Sequence, residues 1–264
     1  MDSFPEYEYE WLPGTMVPLE LVAKLASLYS EQYGRWSSRS DSNPGARIKL
    51  SPKRISALLA SETARLAYAT LDGVLVGYAI AIQAKIPRYG FISWVTQLVV
   101  HEDHRRKDVG KSLLFAIWTF TDHFAWGLLT ANPYAIRALE KATRRRCLPH
   151  RIARNYKKLR TVALQYVDYV DPKTEIEVTK EVSRINTRFP LDHSNLVNML
   201  ADVTSSAVPW RLGTIKEGWE WFAFTFHDQE EIDLAPEEIE NMLRSSDQVA
   251  KLAYSRMLLN AGHG

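Results

Sequence analysis

The chain of 264 residues has a single cysteine, Cys147. That excludes an intrachain disulfide framework and a metal site built from several thiolates, and it fits a reducing compartment. Long apolar runs are missing too. Nothing approaches the roughly 20 consecutive apolar residues that span a bilayer as a helix, so no membrane segment is expected. The opening decapeptide, MDSFPEYEYE, is acidic and lacks the basic region and apolar core of a secretory signal, so a cytoplasmic location is the expectation. No charge of one sign dominates: 33 Lys and Arg face 31 Asp and Glu, so only the local placement of charge can select a partner. Internal repeats and low-complexity tracts are absent, and His101, His104 and His123 lack metal-ligand spacing with carboxylates.

What is present is apolar: 46% hydrophobic and 11% aromatic residues suffice for one large domain or two small ones. The pattern predicts an edge strand over 4–12, a helix over 17–33, a loop over 34–45 and a helix starting at Ser51-Pro52. Asp72-Gly73 divides two strand-like runs and marks a hairpin. A third strand covers 91–100, a helix follows, a short buried strand covers 126–130, and Asn132-Pro133 opens another helix. Further on, 159–170 reads as a strand, 175–186 as strand or helix, and 196–203 as a helix capped near Asp192. WEWFAFTF, 219–226, is apolar on both faces and reads as a buried strand, and 233–259 as one or two helices. Trp210, Trp219 and Trp221 are expected in the core, and Cys147 as a buried small residue.

The chemistry concentrates between Trp94 and Phe115, WVTQLVVHEDHRRKDVGKSLLF. A strand rich in β-branched residues passes through a charged turn into a helix whose apolar face carries Val109, Leu113, Leu114 and Ile117. The turn holds Arg105, Arg106, Lys107 and Asp108, and the helix begins near Gly110 and Lys111. Free amides at a helix start, the positive end of its dipole and four cationic side chains make a seat for a phosphate or diphosphate.

Here the chain resembles the GNAT superfamily of N-acetyltransferases, whose central motif is a strand, then Arg/Gln-x-x-Gly-x-Gly/Ala, then a helix. Arg105 to Gly110 matches at its first and last positions, and Lys111-Ser112-Leu113-Leu114 continues as that helix does. ANPYAIRALEK, beginning at Ala131, resembles the family's next strand end and helix. The resemblance implies an α/β fold with a mixed central sheet, flanking helices and an enlarged C-terminal portion. The division read from the chain is a cofactor-binding core at 1–146 and an extension at 147–264 that completes the sheet and the acceptor site. It also implies acetyl-CoA as co-substrate. The segment Arg105, Arg106, Lys107, Asp108, Val109, Gly110, Lys111 and Ser112 would grip the diphosphate. Leu98, Val99 and Val100 would pair with the pantetheine arm, and Asn132 would hydrogen-bond it.

Two departures stand out. Asp108 replaces the motif's first glycine, bringing a repulsion of roughly 3 kcal/mol at about 5 Å from a phosphate unless a cation offsets it or the carboxylate pairs elsewhere. Leu139 stands where the family often has the tyrosine that protonates the leaving thiolate, and the strand from Trp94 to Val100 carries no acid. Tyr134 and Tyr156, with His101 and Glu102, are the candidates for proton handling. The implied activity is direct acetyl transfer to an amine, on a small molecule or a protein. A degenerate module that binds CoA or another protein is the rival. A third reading, acetylation of tRNA-borne amino acids, rests on RNA binding by Arg144, Arg145, Arg146, Arg151, Arg154, Lys157, Lys158 and Arg160; a homodimer completes the partners considered.

Overall fold

The structure, a computed structural model, describes residues 6–40, 43–118, 123–205 and 208–232. The helices expected over 233–259 lie outside the described residues. Eight strands form one sheet in the order β1-β2-β3-β4-β5-β8-β7-β6. They are β1 (Glu8–Pro13), β2 (Ala64–Leu71), β3 (Val74–Ile86), β4 (Gly90–Val100), β5 (Ala125–Thr130), β6 (Ile176–Val178), β7 (Ser183–Phe189) and β8 (Gly218–Phe226). All neighbours are antiparallel except β4 and β5, which run parallel. The class is mixed α/β, as expected. β6, β7 and β8 come from beyond residue 147 and continue the sheet past β5.

Local chemistry explains the turns. Asp72 and Gly73 both take positive φ, 52° and 75°, the geometry a two-residue hairpin requires. Ser51 caps α2 (Pro52–Leu59) by accepting from the Arg54 amide at 3.3 Å, with Pro52 at the first helical position. α1 (Leu19–Gln32) and α2 cover one face, where Val22, Leu25, Tyr29, Ile55 and Leu59 pack on Leu66, Tyr78, Ile80 and Val99. α3 (Val109–Trp118) lies across β1, β2 and β3 on the other face, beside α4 (Pro133–Thr143). A methyl group on Gly77 would sit 3.1 Å from Leu113 Cδ1, so the glycine sets how closely α3 approaches the sheet.

The segment expected as a strand over 159–170 is helical: α5 runs from Pro149 to Tyr166. Ile152, Leu159, Val162 and Ala163 are buried along it, and the β-branched residues near its end read locally as strand while this packing decides for helix. The ambiguous stretch 175–186 becomes the short hairpin β6–β7. α6 (Leu196–Val203) has Asn195, not Asp192, at its N-cap position, with no side-chain capping bond; the Asp192 carboxylate accepts from the Ser194 amide at 2.9 Å. Among the described residues no helix is long and apolar enough to cross a membrane.

Candidate active site

The sheet opens between β4 and β5. Their pairing covers only Ile92 to Val95 against Ala125 to Leu128. At the next residue, Thr96, the β3–β4 register slips, Ile80 facing Gln97 and Ala81 facing Val95. The extra residue bends β4 away from its neighbour, as bulges do. Beyond it the His101 amide donates to Val76 O at 2.9 Å. Successive strand amides alternate in direction, so those of Val100 and Leu98 turn from β3 toward the gap. Val99, expected with them, turns its amide to β3.

At the end of β4 the chain turns into α3. Arg106 and Asp108 both adopt left-handed backbone, φ 59° and 60°, so aspartate does fill the glycine-like position of the turn. The first intrahelical bond runs from the Ser112 amide to Asp108 O at 3.0 Å. The amides of Val109, Gly110 and Lys111 therefore lie in the first turn, where no partner exists within the helix. The four cations divide. Arg105 is spent on structure, its guanidinium donating to Gln32 O at 2.6 Å and Val100 O at 3.0 Å, which ties α1 to the end of β4. Lys111 is buried, 3% exposed, and its ammonium meets the Asp108 carboxylate at 2.8 Å. Arg106 and Lys107 stay exposed at the turn. The Tyr7 hydroxyl bonds His104 Nδ1 at 3.0 Å, pinning β1 to the same loop.

Asn132 caps α4, its Oδ1 accepting from the Tyr134 amide at 2.9 Å, so only its side-chain nitrogen is left to donate outward. Tyr134 hydrogen-bonds the Asp202 carboxylate of α6, which raises its phenol above the ordinary value, while the charge of nearby Arg106 acts the other way. Leu139 is fully buried. His101 caps the short turn after β4 by accepting from the Asp103 amide at 3.3 Å, and Glu102 lies in that turn. Tyr156 sits mid-way along α5. Cys147 is buried with its thiol pushed well up by burial, and Trp219 and Trp221 are core residues, with Trp210 packed edge to face against Trp221. Among the described residues no group of three metal-ligating side chains occurs.

Most of the basic cluster is engaged within the fold. Arg144 and Arg145 pair with Glu231, Arg146 with Glu140 and Arg151 with Asp228. Lys158 lies 4.2 Å from the Tyr89 ring centroid, and Arg160 donates to Pro172 O. Arg154 and Lys157 are exposed.

Sequence reasoning missed one acid. β5 ends at Thr130, opposite Trp221, so Glu220 stands one step past the end of β5. It alternates with Trp219 and Trp221 and shares a face with Phe222 and Phe224, the face on which Trp94 packs. Tyr29 of α1 and Tyr33 just after it, stacked at 4.2 Å, and Tyr169 after α5 lie within electrostatic reach of it. α1 packs over β3 and β4, while Glu220 belongs to a strand beyond β5. Their meeting therefore places this carboxyl over the β4–β5 gap. No local pattern marks an acid inside WEWFAFTF as special; only the pairing with β5 does.

Burial pushes the Glu220 carboxyl from its ordinary 4.5 up to about 7, with the Thr187 hydroxyl opposing. The folded state thus holds the proton more tightly than the unfolded chain, so this group's contribution to stability falls as pH rises from 4.5 to about 7 and stays flat above. The full cost is about 3 kcal/mol. Glu220→Gln is expected to gain thermal stability relative to the parent across that window, reaching a constant advantage at pH 8. A difference in melting temperature that does not change between pH 4.5 and 8 would show that Glu220 is not held neutral by burial.

Residues 23–143 match the model of the "Acetyltransferase (GNAT) family". No curated protein sequence matches the chain. Solved structures do: a ribosomal-protein-alanine N-acetyltransferase from Brucella melitensis biovar Abortus 2308 is 25% identical over 41% of this chain, TM-score 0.30, and the match spans 66% of that protein. An aminoglycoside acetyltransferase from an uncultured soil metagenomic sample is 15% identical, covering 52% of this chain and 86% of that one, TM-score 0.39. The diaminobutyrate acetyltransferase of Paenibacillus lautus, in complex with its substrate and coenzyme A, is 14% identical, covering 88% and 100%, TM-score 0.39. The family match takes in both halves of the arrangement built above, the turn into α3 and the Asn132-capped start of α4, and over residues 23–143 the chain is thus similar to the acetyltransferase (GNAT) family.

Proposed function

We propose that the protein transfers an acetyl group from acetyl-CoA to an amine in a ternary complex. The observation that carries this reading is the opening after Thr96, with two strand amides turned into it and the first-turn amides of α3 following the same strand. An extended pantetheine arm adds to β4 through the Leu98 and Val100 backbone as a missing strand would. The diphosphate sits on the amides of Val109, Gly110 and Lys111, where unpaired N–H groups and the helix dipole favour negative charge. Arg106 and Lys107 supply mobile positive charge, and the Asn132 side-chain nitrogen donates to the arm. Catalysis then comes mainly from holding thioester and amine in register, which alone is worth several kcal/mol.

Gly110 offers a direct test. A Cβ there meets Ala138 and Val100 only at 3.9 Å, ordinary contact, so the helix start accepts a side chain. Gly110→Glu places a carboxylate among the diphosphate amides, and acetyl-CoA affinity measured by calorimetry is expected to fall tenfold or more with the melting temperature little changed. Undiminished affinity in the Glu variant would remove the diphosphate from this turn.

A further inference from the structure

The turn, the gap and the helix start account for a cofactor, but the acceptor side of the gap carries chemistry of its own. The Glu220 carboxyl projects there from β8, 7% exposed. The groups within electrostatic or hydrogen-bonding reach of it are Tyr29 from α1, Tyr33 just after that helix, Tyr169 from the segment after α5 and Thr187 from β7. Trp94 of β4 lies on the same face, its indole beside the Tyr169 phenol. The Tyr78 hydroxyl, within reach of Tyr29, and Gln97 Oε1 on β4 are buried without a hydrogen-bond partner among the described residues. Polar atoms left unpaired in a well-packed interior cost free energy, and here they converge from β3 and β4 on the edge of the gap. Among the described residues no Lys or Arg shifts the Glu220 carboxyl.

We infer that Glu220 is the group that takes the proton from the acceptor, and that its setting of carboxylate and phenol rings selects an acceptor arriving as a cationic primary ammonium. The inference rests on the acetyl-transfer reading above. One carboxylate beside phenol groups attracts an ammonium and disfavours an anionic acceptor. Glu220 accepts a proton from R–NH3⁺, giving R–NH2 and a neutral carboxyl. The freed lone pair forms the C–N bond at the thioester carbon. As the tetrahedral intermediate collapses, the C–S bond breaks and the thiolate leaves with the second amine proton as the thiol. The carboxyl then returns its proton to water. A carboxylate held by burial near neutral affinity for protons suits this better than one at its ordinary value, because it is basic enough to share the ammonium's proton and still empties at neutral pH. Beside the gap on this face a cavity of about 300 Å³ is lined by Thr96, Ile82, Val167 and Asp168. It opens next to Tyr169 and gives the acceptor's tail a place.

The test uses the full chain, acetyl-CoA, and n-butylamine and 1,4-diaminobutane as probes, with release of CoA thiol as readout. In the parent, kcat/KM for the diamine is expected to rise with pH through a limb whose midpoint lies near 7. In Glu220→Gln it falls about a hundredfold and that limb disappears, while acetyl-CoA affinity by calorimetry stays within a few-fold. Tyr33→Phe, which keeps the carboxyl, raises KM more than it lowers kcat. A Gln variant that keeps both rate and limb overturns the inference, as does a parent enzyme that binds acetyl-CoA yet acetylates neither amine. Failure of the parent to bind acetyl-CoA at all overturns instead the acetyl-transfer reading on which it stands.

Discussion

A Gly127→Val protein is expected to lose about 3 kcal/mol or more of folding stability, a drop in melting temperature on the order of 10 °C. Gly127 lies mid-way along β5, between Trp94 of β4 and Phe224 of β8 in one row across the sheet. A Cβ at that position would come within 2.2 Å of the Phe224 ring. The ring is fully buried and lies 4.9 Å from Trp94, edge to face, so it has nowhere to go. The aromatic covers the glycine's bare backbone, which holds β8 in register with β5 and so fixes where Glu220 emerges past the strand end. Phe224→Ala alone should cost a similar amount by leaving a cavity. The two changes share one space, and the double variant Gly127→Val with Phe224→Ala is expected to be less destabilised than the sum of the singles. Strict additivity in thermal denaturation would mean that the ring and the glycine do not contact each other.

The strands and helices up to Thr143 were legible because each has its own local punctuation. Asp72-Gly73, Ser51-Pro52 and Asn132-Pro133 set their boundaries through backbone preferences that need no tertiary partner. The turn from β4 into α3 was legible for the same reason. What the local signals could not carry was partnership. Lys111 looked like one more cation for a phosphate, yet Val109, Leu113 and Ser112 bury the helix start against the sheet and leave the lysine facing Asp108. Arg105 looked alike and is a strut to Gln32. Nothing local to the run 144–160 showed that Glu140, Asp228 and Glu231, as far as 87 positions away in the case of Arg144, would meet Arg144, Arg145, Arg146 and Arg151. Glu220 is the extreme case. Its neighbours come from α1, β7 and the segment after α5, and no window of sequence contains them together.

The pair at the start of α3 yields the other large effect, one of opposite sign in two measurements. Asp108→Asn is expected to destabilise the ligand-free protein by about 3 kcal/mol while tightening acetyl-CoA binding tenfold or more. Asparagine tolerates the left-handed backbone that Asp108 adopts, so the turn itself survives. The buried Lys111 ammonium, 2.8 Å from the carboxylate, is then left without a counter-charge, which is what destabilises the empty protein. A diphosphate on the neighbouring amides replaces that counter-charge and no longer meets a carboxylate, so the loss in the empty state becomes a gain on binding. Lys111→Met reverses the balance. The apolar side chain fills the buried site, and the Asp108 carboxylate, 42% exposed and so screened by solvent, costs the empty protein little. The same carboxylate now repels the diphosphate without compensation, and affinity is expected to fall about a hundredfold. Calorimetry with acetyl-CoA on the three proteins reads both signs, and the ligand-induced rise in melting temperature must follow the same order, Asn above parent above Met. Weaker binding by the Asn variant would mean that the carboxylate holds the turn in shape, and that its charge is not what limits the seat.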